Sequence, residues 1–215
     1  MIGPVMIGPS SSHTAGVAKI GLLAHNLFGG VPAKVTITFY NSFATTYKGH
    51  GSDKAILGGL QGMRTDDPGI RTALETADEK GLEYQFEMIG NASQYHPNSI
   101  GIRMEGDGKM IALMGESLGG GVINIVNVDG FKAGFNGDLT TLMITADDRP
   151  GVIAFVSDIL AHDSCNIATM TVSRLQKNGQ ARHFIEVDSA PRPLTIQYLQ
   201  SLPWIAGLHV IAPIS

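Results

Sequence analysis

From Leu139 onward, apolar and polar positions follow two distinct rhythms. Leu139 to Thr145 has the period-two pattern of a strand, and Asp147-Asp148-Arg149-Pro150-Gly151 reads as a turn feeding a helix. On that helix Val152, Val156, Ile159 and Leu160 share one face. Ile167 to Arg174 alternates again, Lys177-Asn178-Gly179-Gln180 is a hairpin signal, and His183 to Asp188 follows as a strand. Pro191-Arg192-Pro193 opens a short helix holding Leu194, Tyr198, Leu199 and Leu202, and Gly207 to Ala212 closes as a strand. The predicted order is β-α-β-β-α-β, the split βαβ arrangement, with antiparallel strands and both helices on one face.

The first 130 or so residues are less regular. Val17, Ile20, Ala24 and Leu27 lie on one face of a helix, while Val35, Ile37 and Phe39 alternate with Lys34, Thr36, Thr38 and Tyr40 as a half-buried strand. Asp67-Pro68 is a helix start, Ile70, Ala73, Leu74 and Ala77 form its stripe, and Gly81 is its stop. Tyr84, Phe86 and Met88 alternate; two more strands pair between Ile100 and Leu113; Gly119-Gly120-Gly121 leads into a strand from Val122 to Val128. The expected fold class is α+β: a mixed α/β substrate-binding domain over residues 1–134, then a ferredoxin-like βαββαβ domain over residues 135–215, with residues 130–138 as a linker.

Composition narrows the function. A charged fraction of 16% and a net charge of -4, without any Lys/Arg run, argue against nucleic acid as partner. No apolar run approaches the roughly 20 residues of a bilayer span, and the start lacks the pattern of a signal peptide, so the expected location is the cytoplasm. The chain has one cysteine, Cys165. It therefore holds no internal disulfide, no cysteine-built zinc site and no iron–sulfur cluster of its own.

The densest polar cluster is Gly8-Pro9-Ser10-Ser11-Ser12-His13-Thr14, just before the first helix. Helix starts offer unpaired N–H groups and partial positive charge, and serine hydroxyls add donors, so the cluster suits a small anion. A cap needs only one such residue; three serines with a histidine and a threonine exceed that need. Lys48-Gly49-His50-Gly51-Ser52-Asp53 is a second candidate, since flanking glycines let backbone approach a ligand; a flexible turn is the plainer alternative. His96-Pro97-Asn98-Ser99 is a third, which a proline turn alone also explains. Tyr40, Asn41 and Ser42 end a strand, a common place for functional side chains, and Glu116 to Gly121 reads as a carboxylate wrap or, preferably, as a bend before a strand. There is no Gly-x-Ser-x-Gly elbow to make a loop serine a nucleophile.

The run Ile7-Gly8-Pro9-Ser10-Ser11-Ser12-His13-Thr14-Ala15-Gly16 resembles the signature of iron–sulfur-dependent L-serine dehydratases, as do Tyr47-Lys48-Gly49-His50-Gly51 and His96-Pro97-Asn98. The helix start Asp148-Arg149-Pro150-Gly151 resembles that of an ACT domain, an amino-acid-binding regulatory module. The resemblance spans nearly the whole chain and points to the beta subunit of the two-chain enzyme. It implies conversion of L-serine to pyruvate and ammonia on a [4Fe–4S] cluster whose ligands belong to a partner alpha subunit, with no metal ligand in this chain. It also implies catalytic roles, in no assigned order, for His13, His50 and His96. Substrate contacts would come from Ser10, Ser11, Ser12, Thr14 and Asn98. Effector contacts, or dimerisation through the ACT domain, would involve Arg149, Gly151 and Asn166. The same first domain resembles the allosteric-substrate-binding fold of some phosphoglycerate dehydrogenases, so the competing expectation is a serine-responsive regulatory protein without catalysis.

Overall fold

The computed structural model describes residues 11–214, with Ser11 and Ser12 described through their backbone alone. The described residues form two compact units that divide between Asp129 and Gly130.

In the first unit, β1 (Lys34–Tyr40) and β2 (Glu83–Ile89) run parallel. Strands β3 (Ser99–Gly106), β4 (Lys109–Gly119) and β5 (Val122–Val128) continue antiparallel, in the order β2-β1-β3-β4-β5. A parallel pair needs a long crossover. It is supplied by α2 (Ser42–Thr46), α3 (Ser52–Leu60), a 3-10 turn over Pro68–Thr72 and α4 (Ala73–Glu79). The helix expected after Asp67-Pro68 forms, with the Asp67 Oδ1 accepting the Gly69 N–H at 2.8 Å and Gly81 leaving it at φ +71°.

Residues 47–51 form a turn, as the plainer reading of the His50 stretch had it; the flanking helices α2 and α3 were not predicted. Gly58 and Gly59 weaken the helical propensity of α3, yet Ala55, Ile56, Leu57 and Leu60 are fully buried, and tertiary packing overrides propensity. The glycines are what allow that packing. Helix α1 (Val17–Phe28) crosses α3 so closely that a Cβ on Gly59 would sit 2.2 Å from the Ala18 carbonyl oxygen and 2.6 Å from the Leu22 nitrogen. A Cβ on Gly21 would sit 2.5 Å from the Ile56 oxygen. Ile20 of α1 reaches Gly115 of β4, which places the helices on the sheet face that carries Val35, Ile37 and Phe39. Burying each of these aliphatic side chains contributes about 1.5–3 kcal/mol. The opposite face presents Thr36, Thr38, Gln85, Glu87 and Arg103 to a cavity of about 840 Å³.

The second unit contains β6 (Phe131–Phe135), β7 (Thr140–Asp147), α5 (Val152–His162), β8 (Ile167–Arg174), β9 (Gln180–Val187), α6 (Pro193–Gln200) and β10 (Ile205–Ile211). Its antiparallel sheet runs β10-β7-β9-β8. Val152, Val156 and Leu160 of α5 and Leu199 of α6 pack on Leu142, Ile144, Ile185 and Val187, so both helices cover one face. This is the expected ferredoxin-like arrangement, and the α+β class holds for both units.

The linker expected over residues 130–138 is corrected: Phe131–Phe135 is strand β6. Phe131, Ala133 and Phe135 are buried at period two, and the Phe135 ring stacks on Phe184 of β9 with centroids 5.4 Å apart. The small and charged residues between them, Lys132 and Gly134, disguised the alternation.

Candidate functional site

The N-terminal motif is wound into the helix rather than capping it. Ser11–Gly16 forms a π-helical turn running directly into α1, and no side chain caps Gly16. Such wide turns are uncommon and occur frequently at functional sites. Ser10 lies outside the described residues.

Two hydrogen bonds lock this turn to the start of α3. The Thr14 hydroxyl donates to the His50 carbonyl at 3.2 Å, and the Ser52 hydroxyl donates to the His13 carbonyl at 2.7 Å. Both Thr14 and Ser52 are buried, so these bonds satisfy groups withdrawn from water. Gly51 precedes α3 at φ +69°, a left-handed conformation that glycine adopts without strain, and this bend brings the preceding residue back over the turn. As a result the His13 and His50 rings lie 4.6 Å apart, tilted by 30°. Phe43 of α2 meets the His13 ring edge-on at 5.0 Å. The His50 Nδ1 lies 3.2 Å from the Thr46 carbonyl. A carbonyl only accepts, so in this bond Nδ1 carries the proton and Nε2 of the neutral ring carries the lone pair. Burial, reinforced by the neighbouring His50, pushes the His13 pKa below the ordinary histidine value, which favours a neutral ring near pH 7.

His96 and Asn98 sit on the loop between β2 and β3. The His96 Nδ1 accepts the Asn98 N–H at 3.2 Å, which leaves the proton of the neutral ring on Nε2. The Ser117 N–H of β4 donates to the Asn98 carbonyl at 3.0 Å, and the Ser42 N–H of α2 donates to the Pro97 carbonyl at 3.0 Å. Through α2 this loop is therefore tied to the element that also contacts His13 and His50. The 840 Å³ cavity on the other sheet face is lined by Tyr95 but by none of the three histidines.

Sequence reasoning missed Ser52 and Phe43 as site residues. Ser52 was visible only as part of a glycine-flanked turn, and Phe43 carried no signal beyond its apolar character.

A family model described as serine dehydratase beta chain matches residues 2–127. The chain belongs to the serine dehydratase beta chain family. It is 42% identical over 212 residues to the probable L-serine dehydratase, beta chain, of Bacillus subtilis (strain 168), covering 99% of this chain and 96% of that one. It is 36% identical to the L-serine dehydratase, beta chain, of Peptoniphilus asaccharolyticus, covering 91% of this chain and 87% of that one. A D-3-phosphoglycerate dehydrogenase of Bacillus subtilis (strain 168) is 28% identical across 74% of this chain, which spans 30% of that enzyme.

In this serine dehydratase beta chain family member, the second unit brings two of its three candidate residues together. Arg149 and Gly151 line a cavity of about 310 Å³ with Val152, Phe155, Tyr198, Leu202 and Trp204. The Arg149 guanidinium lies over the Trp204 ring, 4.8 Å from its centroid. Gly151 stands before α5 at φ +90°, where any side chain would be strained. Asn166 follows the other end of α5, an 11-residue helix and so roughly 16 Å long. Its Nδ2 donates to the Asp188 Oδ2 at 2.8 Å. Nearby, Asp148 accepts from the Arg174 guanidinium at 2.6 Å and from the Asn178 N–H at 3.0 Å, and these bonds hold its carboxyl below the usual carboxylate range.

Proposed function

We propose that the chain is the substrate-gripping subunit of a two-chain L-serine dehydratase, acting with a separate alpha chain. The observation that carries this reading is the close His13–His50 pair, its rings 4.6 Å apart, held on a helix start by Thr14 and Ser52. The donors of this chain do not fit a four-iron cluster, which needs three or four thiolates. Cys165 is buried in the second unit, and among the described residues no three His, Cys, Asp or Glu side chains converge. We therefore assign a [4Fe–4S] cluster to cysteines of the alpha chain, where it would supply Lewis acidity toward the serine hydroxyl.

The residues of this chain do the rest. The N–H groups at the helix start, with Ser10, Ser11 and Ser12, bind the serine carboxylate. The His13–His50 pair receives the Cα proton, His13 being biased toward the neutral form by its burial. The His96 Nε2–H offers a donor that orients the substrate. Loss of the Cα proton and the β-hydroxyl gives aminoacrylate and water; hydrolysis of aminoacrylate gives pyruvate and ammonia. Copurification with the alpha chain is expected to yield a complex that contains iron and forms pyruvate from L-serine. Deamination by the isolated, iron-free chain would defeat the proposal.

The Arg149 cavity supports a second activity alongside the first, amino-acid sensing by an ACT-type unit. A guanidinium beside an apolar wall suits a zwitterion's carboxylate. Strands β8 and β10 end the sheet, and either edge suits pairing with a second copy. Titration of the full chain with L-serine and other amino acids is expected to release heat, with Arg149→Ala weakening binding about tenfold through the lost charge-assisted contact. No heat with any amino acid would leave the unit a pairing module only.

A further inference from the structure

Strand β1 ends on a backbone conformation that residues with side chains rarely adopt. Asn41 has φ 50° and ψ -117°, outside the left-handed helical region and open without strain only to glycine. Such conformations persist only where the surroundings over-determine them, and they cluster at functional sites. Here the surroundings are the loop that carries His96. The Asn41 Oδ1 accepts the Ala92 N–H at 2.8 Å. Its Nδ2 donates to the carbonyls of Ala92 at 3.0 Å, Tyr95 at 3.2 Å and His96 at 3.4 Å. Its main-chain N–H donates to the Ile89 carbonyl at 2.9 Å, and the next N–H, of Ser42, donates to the Pro97 carbonyl at 3.0 Å. Asn41 also opens α2, whose Phe43 meets the His13 ring and whose Thr46 carbonyl receives His50.

We propose that Asn41 is a positioning residue: its carboxamide sets the His96–Asn98 loop against the helix that seats His13 and His50. It touches no reacting atom and acts through His96, so the proposal rests on the dehydratase reading above. The chemistry selects the residue. A carboxamide accepts at one atom and donates from the adjacent one, matching an N–H beside carbonyls. An aspartate would aim a second oxygen at those carbonyls. A glycine would keep the backbone and lose the clamp.

The test uses the complete chain, alone and reconstituted with its alpha chain, as Asn41→Gly and Asn41→Asp. Glycine relieves the backbone strain, so Asn41→Gly is expected to stay folded, with amide exchange over residues 90–98 of the isolated chain faster by about tenfold or more. In the complex kcat is expected to fall roughly 10- to 100-fold with KM within about threefold, the scale of a misplaced catalytic group. In a His96→Ala background the same substitution is expected to add less than about twofold, because both act through one group. Asn41→Asp, nearly isosteric, is expected to loosen the same segment and to lose at least as much kcat. Unchanged exchange over residues 90–98, kcat within about twofold of the unsubstituted complex, or an undiminished effect in the His96→Ala background would each overturn the role. An inactive unsubstituted complex would sink the dehydratase reading and this role with it. An active one with unimpaired Asn41 variants would sink only the role.

Discussion

Replacing His13 with alanine is expected to cut serine turnover by the reconstituted complex about 100-fold or more, the lower bound for a lost general base, while the iron content stays normal. The size follows from what the ring does in the fold. Burial and His50 bias it toward the neutral form, ready to take a proton at pH 7. Its partner ring lies 4.6 Å away and is itself bonded to the Thr46 carbonyl. On the proposed reading, removing His13 takes away half of the proton-accepting pair and the ring beside His50. The direction of the pKa shift adds a second expectation. His13 becomes protonated only below the ordinary value of 6.5, so the acid limb of kcat/KM should fall below that pH. Iron and turnover measured together on the same preparation decide the matter: near-normal turnover in His13→Ala would remove the ring from the chemistry.

Gly59→Ala should have the largest effect on stability. The added Cβ would meet two backbone atoms of α1, at 2.2 and 2.6 Å, and backbone cannot rotate away as a flexible side chain can. The helices must separate, which exposes the apolar contact between α1 and α3 and displaces Ser52, the residue that holds the His13 carbonyl. Overpacking of this kind costs about 3 kcal/mol or more. For a chain of this size that lowers Tm by roughly 6–12 °C or leaves the protein insoluble. Gly90→Ala is the control: its Cβ would find nothing within 4 Å, and its expected effect is within about 0.5 kcal/mol. Equal melting temperatures for the two variants would show that the crossing tolerates separation.

The second unit was legible because its signals agree. Period-two strands, period-3.6 helices and a Lys-Asn-Gly-Gln hairpin all point to one topology, and the sheet order follows from it. Helix α3 was not, because Gly58 and Gly59 disfavour a helix when taken alone. The meaning of Gly59 lies in a neighbour, Gly21, more than 30 positions away, which no local pattern contains. Strand β6 was hidden similarly, its short alternation broken up by Lys132 and Gly134. At the site, sequence named His13, Thr14 and His50 but not their meeting: the Thr14–His50 bond joins residues 36 positions apart. Asn41 was visible as the end of a strand. Its four side-chain contacts depend on a loop that begins about 50 positions later.

Cys165 is 5% exposed in the apolar interior of the second unit, its thiol near the Asp163 carbonyl at 3.7 Å and the Ser189 hydroxyl at 3.9 Å. A thiol so enclosed is slow to meet peroxide or oxygen. If the chain works beside a cluster-bearing companion as proposed, its own thiol should outlast aeration, and lost function should be sought first in that companion.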